Sequence, residues 1–563
     1  MSSHPNEPGP WAGVSAPAKF TPFEWLLLLL LFCVPPMIGM ARHPLWIDEA
    51  QTLFPVATQG TSITEFIRNS LHLGGSLQVT PLYAMLVALW ARVLPTTEFA
   101  LRCVNLPFLV ITALVARAFV GHLQYRSTAG RWLALAFVAL GPFYVYYSFD
   151  LRPYASLISF GGMIALGLVW LAAWDARGPW LFSAGFGLAF LSQPTVVVVA
   201  PVLGLVVLLL ARRDFSRSLR LWQGAWILGA VLAALAGTFY YLVRHGDGAQ
   251  PFGGRPDLKN VVFVLFEFAG LSGLGPTREQ LRMLAPPEGA ESALQGSALL
   301  WTDWVPVALA GTLWLIGIAY LLRQAWQQRG AGSSRSAALT VNAAFFFGGL
   351  LSVAVFFYCF QYRFLPRHIC FLYLPFVFLV LTLAAGGTAG GLGRILAALA
   401  VLGFAVSSGQ LLLNPRYARD DFRSALDAWR QRRGSDPALR FWTLSYPPAL
   451  LYYSGEATVL YVDESTLRVW ERTGPASYRS TVLSPDRIGE VADAAVVCIR
   501  NPTAEIWSAI LGAGRGRRVI LGINRGTEFD PHGRARELLQ NPASKAEKLP
   551  PVPFIESFQV LVP

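Results

Sequence analysis

The sequence predicts a polytopic α-helical membrane protein that carries a small extracytoplasmic α/β domain at its C-terminal end. Three observations lead there. Hydrophobic residues make up 54% and charged residues 14% of the 563 residues, against roughly 45–50% and 25% in soluble globular chains, and mean hydropathy is +0.46. Apolar runs, most of them uncharged, follow one another from Trp25 to Leu413. From about Asn414 the composition changes, and short β-branched runs alternate with helix-like stretches.

The first 23 residues, rich in Pro, Gly and Ser, read as a disordered cytoplasmic tail. No signal-peptide cleavage pattern follows, so the run Trp25–Met40 is expected to stay as a span. Further apolar runs occupy about 81–95, 99–121, 131–149, 154–174, 180–193, 195–211, 222–243, 301–323, 338–360, 366–386 and 391–413. Charge decides which of them cross. With 81–95 lying along the interface and an inner N-terminus, the inner loops hold eleven arginines, four of them clustered between Arg212 and Arg220. The short outer loops hold five: Arg42, Arg68, Arg152, Arg363 and Arg367. Making 81–95 a span would put the 212–220 cluster outside and reverse the positive-inside bias. Eleven spans are therefore expected over 24–413, with residues 414–563 outside. The 258–272 stretch reads as a second interfacial helix.

The net charge of +12 would suggest a nucleic-acid partner in a soluble chain. In this chain it reads as loop topology, and no nucleic acid is expected. Cys33, Cys103, Cys359, Cys370 and Cys498 show neither metal spacing nor a disulfide framework. The absence of a P-loop or dinucleotide fingerprint gives no reason to expect an organic cofactor. In the C-terminal region, 440–445, 458–462, 494–499 and 518–523 read as strands, with helix-like stretches at 420–433, 447–454 and 503–512. That alternation predicts a mostly parallel sheet.

On this topology Asp48-Glu49, Asp150-Leu151-Arg152, Gln193 and the Arg363–His368 segment share the outer side. Carboxylates at a membrane boundary are functional candidates by default; the plain alternative is helix capping ahead of Ala50. Asp150, Arg152 and Tyr154 would project to one side if the backbone were extended, and Pro153 favours extended backbone at Arg152; an Asp–Arg pair closing a turn is the other reading. Arg363 and Arg367, beside Tyr362 and His368, are phosphate candidates because a guanidinium presents a fork of donors matched to phosphate. Contact with lipid headgroups is the alternative. His43 and His72 read as interfacial or turn residues. A divalent metal between Asp48 and Asp150 is compatible with these residues, and no ligand spacing demands one.

These residues also carry a resemblance. Trp46-Ile47-Asp48-Glu49-Ala50, Thr80-Pro81-Leu82-Tyr83, Glu98-Phe99-Ala100-Leu101-Arg102 and Tyr147-Ser148-Phe149-Asp150-Leu151-Arg152-Pro153-Tyr154-Ala155 occur in that order. Arg363-Phe364-Leu365-Pro366-Arg367-His368 and Tyr417-Ala418-Arg419-Asp420-Asp421-Phe422-Arg423 follow. Together, over roughly 24–430, they resemble the GT-C glycosyltransferases of family 39 and their bacterial relatives, which include protein O-mannosyltransferases and lipid A aminoarabinose transferases. Members often show His-Pro-Pro where this chain has Val79-Thr80-Pro81, and some place a Lys where it has Gln193.

The resemblance implies a GT-C membrane enzyme working on the outer face of a bacterial cytoplasmic membrane. Its donor would be a polyprenyl-phosphate-linked sugar. Its acceptor would be a hydroxyl of a cell-envelope glycan, a lipid or a protein. Asp48 aligns with the family's catalytic Asp, with Glu49 and Asp150 beside it. Arg152, Tyr154, Arg363, Arg367 and His368 are the candidates for the donor phosphate. Transfer by direct displacement would invert the anomeric centre. A transporter or flippase of a lipid-linked substrate is the competing class, and it would need polar groups along a path through the membrane. A non-catalytic subunit that keeps the fold is a third.

Overall fold

The computed structural model describes residues 20–46, 49, 52, 81–125, 127–173, 175–211, 258–277, 280–281, 301–327, 334–359, 364–387, 391–445, 447–464, 466–474, 477–484, 487, 489, 494–524, 532–550, 552 and 555–563. The expected span at 222–243 lies outside them.

Helix α1 (Pro22–Arg42) starts with a capping box. Glu24 N–H donates to Thr21 Oγ1 at 3.2 Å, and Thr21 N–H donates to the Glu24 carboxylate at 2.8 Å, so two groups that a helix start leaves unpaired are satisfied. Helix α2 (Pro81–Val93) has 13 residues, about 20 Å at 1.5 Å per residue, too short to cross. Then come α3 (Glu98–His122), α4 (Thr128–Ala139), α5 (Pro142–Ser148), α6 (Tyr154–Ala172), α7 (Arg177–Ser192), α8 (Ala200–Ala211) and α9 (Leu258–Phe268). The helical region closes with α10 (Val305–Gln327), α11 (Arg335–Cys359), α12 (Tyr373–Gly387) and α13 (Gly391–Leu413).

Among the described residues seven helices are long and apolar enough to cross a membrane, and an eighth arises if α4 and α5 form one bent span. The run expected at 131–149 is this pair, bent by 49°. Pro142 cannot donate to the preceding turn, and a Cβ on Gly141 would lie 1.9 Å from Tyr373 Oη, so the bend is packed rather than loose. Helix α7, with 16 residues, falls just below the usual spanning length of about 17.

Helix α6 is the hub of the bundle, with 89% of its span buried. A Cβ on Gly161 would sit 2.1 Å from the Phe371 carbonyl oxygen. The bare backbone there lets the 3₁₀ turn Pro366–Leu372 lie against α6, which brings Arg367 and His368 to the site.

Beyond α13, helix α14 (Phe422–Ser435) leads into an eight-stranded sheet of order β4-β3-β2-β5-β1-β6-β8-β7. Its centre is parallel: β1 (Arg440–Leu444) lies between β5 (Val496–Arg500) and β6 (Arg518–Asn524), and β2 (Thr458–Asp463) flanks β5. The helices α15 (Pro447–Ser454) and α16 (Ala504–Ala513) connect them, as the alternation of runs predicts. Strands β3 (Thr466–Gly474), β4 (Ser477–Leu483), β7 (Glu547–Lys548) and β8 (Ile555–Leu561) add antiparallel edges that the sequence reading does not include. One apolar core runs from the bundle into the sheet through Leu426, Trp429, Leu450, Phe441 and Cys498. A second joins Trp442, Leu444, Leu521 and Trp507, and Trp46, just after α1, belongs to it.

Candidate active site

Glu49 and Arg102 form the knot of the site. Both side chains are fully buried, with Arg102 Nη2 2.5 Å from Glu49 Oε2 and Nε 2.8 Å from Oε1. The same carboxylate accepts the Leu151 N–H at 2.6 Å and the Trp46 N–H at 3.2 Å. A carboxylate has about four acceptor positions, and these four donors fill them. The remaining Arg102 donors hold the carbonyls of Met40 at 3.2 Å, Pro44 at 2.9 Å and His43. One ion pair thus ties the end of α1, the 43–49 loop, α3 and the 149–153 turn together.

Asp150 is also fully buried. Its Oδ1 accepts from Arg419 Nη1, while Oδ2 has no partner among the described residues. Its backbone carbonyl is held by Asn105 Nδ2, and Asn105 in turn accepts the Tyr83 hydroxyl at 2.9 Å. Burial pushes the Asp150 carboxyl up from its ordinary range and nearby Glu49 adds to this, while Arg419 pulls it the other way. Arg419 comes from the segment between α13 and α14. Its Nε donates to Tyr146 Oη at 2.8 Å, and its guanidinium lies 4.0 Å from the Tyr146 ring centre, 4.9 Å from Trp46 and 5.1 Å from Phe149. His43 stacks on the other partner of that cage, Phe149, at 4.9 Å. Burial, with Arg419 and Arg102 nearby, depresses its pKa to about 3, so its imidazole is neutral at physiological pH.

The expected convergence of Asp150, Arg152 and Tyr154 does not form, because Pro153 adopts φ −69°, ψ 12° and Tyr154 opens α6. The three diverge: Asp150 to Arg419, Arg152 Nη1 to Thr52 Oγ1 at 2.9 Å, and Tyr154 edge-on against Tyr147 at 5.2 Å. Arg367 stands 5.4 Å from the Trp46 ring, so the 366–372 turn reaches the same loop. His368 Nδ1 accepts the Leu365 N–H at 3.3 Å, and its carbonyl accepts from Gln193 Nε2 at 3.4 Å. Tyr147 donates to the buried Glu267 of α9 at 3.1 Å. Asp48, His72, Tyr362 and Arg363 lie outside the described residues. Among the described residues no three His, Cys, Asp or Glu side chains form a metal-holding group.

No protein-family model matches the chain, and no curated protein matches it. Among solved structures it is similar to ArnT from Cupriavidus metallidurans in the apo state, at 13% identity over 95% of this chain and 98% of that one, with a TM-score of 0.48. It is similar also to ArnT from Cupriavidus metallidurans bound to undecaprenyl phosphate, at 12% identity over 96% and 98%, with a TM-score of 0.47.

The C-terminal region touches the loop and the start of α3 beside the site. Leu45 N–H donates to Tyr453 Oη at 2.5 Å, Tyr452 Oη donates to the Thr96 carbonyl at 2.8 Å, and Arg423 meets Glu98 at 3.3 Å. Burial raises the Tyr453 phenol well above its usual range, with Glu98 adding to the effect, so it stays a neutral hydroxyl. In the sequence Arg102 and Arg419 stand out only as members of motifs, and Tyr453 and Glu267 carry no site signal there. Tyr453→Phe is expected to strand the Leu45 N–H at a cost of about 1–3 kcal/mol. A lower melting temperature in detergent, with the fold retained, is the result to look for. An unchanged melting temperature would show that the loop is held without this bond.

Proposed function

We propose that this chain is an inverting glycosyltransferase that moves a sugar from a polyprenyl-phosphate donor to a hydroxyl acceptor at the outer face of a bacterial cytoplasmic membrane. The observation that carries the reading is the buried Asp150–Arg419 pair, with one carboxylate oxygen that has no partner among the described residues, beside Trp46 of the loop that leads into Asp48. The ordered motifs of residues 24–430 support it independently.

In the proposed reaction Asp48 takes the proton of the acceptor hydroxyl. The acceptor oxygen attacks the anomeric carbon from the side opposite the phosphate. The bond from that carbon to the phosphate oxygen breaks, and the phosphate leaves with the electron pair, so the new glycosidic bond has inverted configuration. Asp150 orients the acceptor through its unpartnered oxygen. Glu49, whose acceptor positions are filled, holds the loop. Arg363 and Arg367, with Arg152, Tyr154 and His368, are assigned to the donor phosphate and its approach.

The test is a transfer assay with purified protein and a panel of polyprenyl-phosphate sugars, read as release of free polyprenyl phosphate, together with mass-spectrometric profiling of envelope glycans, lipids and glycoproteins after gene deletion. Asp48-dependent release and the loss of one glycosylated species are expected. Arg367→Ala should raise the apparent KM for donor more than that for acceptor. Movement of lipid-linked sugar across liposome membranes without glycosidic cleavage would overturn the reading in favour of a flippase.

A further inference from the structure

A groove of about 160 Å³ runs between α10 and the rest of the bundle, lined by α4, α12, α13 and the segment Ala269–Leu274. Its walls are apolar for most of its length, with Leu133, Leu313, Val380 and Leu396 among them. Toward one end Phe137, Trp314 and Phe404 pack together, with Phe137 and Phe404 stacked at 4.5 Å and Trp314 6.0 Å from Phe404. At the other end stand Tyr125, Ser127, Tyr320 and Arg394. Gly317 on α10 and Gly403 on α13 both line it, and a Cβ on either would meet nothing within 4 Å.

Three features identify the occupant. The first is chemistry. A cavity with such walls excludes water, and in a bilayer the material available to fill it is hydrocarbon.

The second is length. The lining runs from Ala310 to Leu321 on α10 and from Gly393 to Phe404 on α13, roughly 16 Å on each helix, or half of the ~30 Å hydrocarbon core. One leaflet's acyl chain fits that depth.

The third is charge and side. Arg394 lies at the start of α13, and Arg419 of the site follows that helix's far end, Leu413. The polar mouth therefore opens on the leaflet opposite the site. Arg394 on α13 and Arg323 near the end of α10 are both exposed there, and neither makes a hydrogen bond or ion pair among the described residues.

We propose that this groove binds one anionic phospholipid of the leaflet opposite the active site, its acyl chain between α10 and α13 and its headgroup at Arg394 and Arg323. The proposal does not rest on the glycosyltransferase reading, because no residue of the site lines the groove.

The experiment is native mass spectrometry of the full chain, extracted from nanodiscs that contain equal amounts of phosphatidylglycerol and phosphatidylethanolamine. One retained phospholipid per protein is expected, with phosphatidylglycerol enriched about five-fold for each arginine that meets the headgroup. Gly317→Phe and Gly403→Phe, made singly and together, fill the groove and should abolish retention. Arg394→Gln with Arg323→Gln leaves the walls intact, so it should keep a bound lipid and lose the enrichment; it decides the matter if the filled variants do not fold. Undiminished retention in folded groove-filled variants would overturn the proposal, and so would enrichment that survives the arginine changes. Recovery of polyprenyl phosphate as the retained species would overturn it too, since the groove would then belong to the donor.

Discussion

Replacing Arg102 by Leu is expected to remove most of the folded protein. The guanidinium is fully buried and pairs with an equally buried carboxylate, while its other donors hold one carbonyl at the end of α1 and two of the loop that leads to Asp48. Taking away one partner of a buried pair leaves an uncompensated charge and costs about 3–5 kcal/mol, against a total stability of roughly 5–15 kcal/mol for a typical fold. Stranding the three carbonyls adds to that loss. The readouts are the amount of protein recovered from membranes and its melting temperature in detergent. Arg102→Leu combined with Glu49→Gln should melt higher than Arg102→Leu alone, because the stranded charge is gone, yet it should stay inactive because the loop is no longer held. A single variant that melts like the unmodified protein would show that the knot is not where the loop gets its rigidity.

Asp48→Asn is expected to lower turnover by about 10²-fold or more, the usual scale for losing a positioned general base, while donor binding changes little. The substitution keeps the shape and removes the proton acceptor. Near-normal turnover in purified Asp48→Asn would move the base to Asp150, whose Oδ2 has no partner among the described residues. The pH dependence separates the two. Burial raises the Asp150 carboxyl, so its charged form, which pairs with Arg419, is lost on acidification at a higher pH than for an ordinary carboxylate. Activity that needs the charged pair should therefore fall on an acid limb above the ordinary carboxylate range, and Asp150→Asn should remove that limb along with most of the activity. A limb that persists in Asp150→Asn belongs to another group.

The fold was legible wherever one side-chain period ran uninterrupted. Uncharged runs mark the bundle helices, and β1, β2, β5 and β6 read as strands because they are short apolar or β-branched runs. Strands β3 and β4 were not legible: their Arg468, Glu471, Arg472 and Arg479 interrupt the apolar alternation, as suits the edge of a sheet. In the site, Glu49 and Asp150 stood out because a carboxylate at a membrane boundary needs a reason. Their partners did not. Arg102 lies 53 residues from Glu49 and Arg419 lies 269 from Asp150, and no local period encodes a contact at such a separation. The 150–154 turn was misread for a related reason: Pro153 governs the residue before it, whereas the start of α6 is decided by packing against the bundle.

The place of Trp46 has a consequence for how the molecule is made. This indole emerges early in synthesis, yet the apolar neighbours it packs among, such as Trp442, Leu444 and Leu521, are translated only after the last membrane helix. The loop that carries Asp48 must therefore wait, inserted but unfinished, until nearly the whole chain has left the ribosome. A nonsense codon or protease cut beyond Leu413 would leave every membrane helix in place and still leave that loop without its lid. Nascent chains caught at that stage expose an aromatic side chain to the aqueous face, which makes them natural targets for membrane quality control.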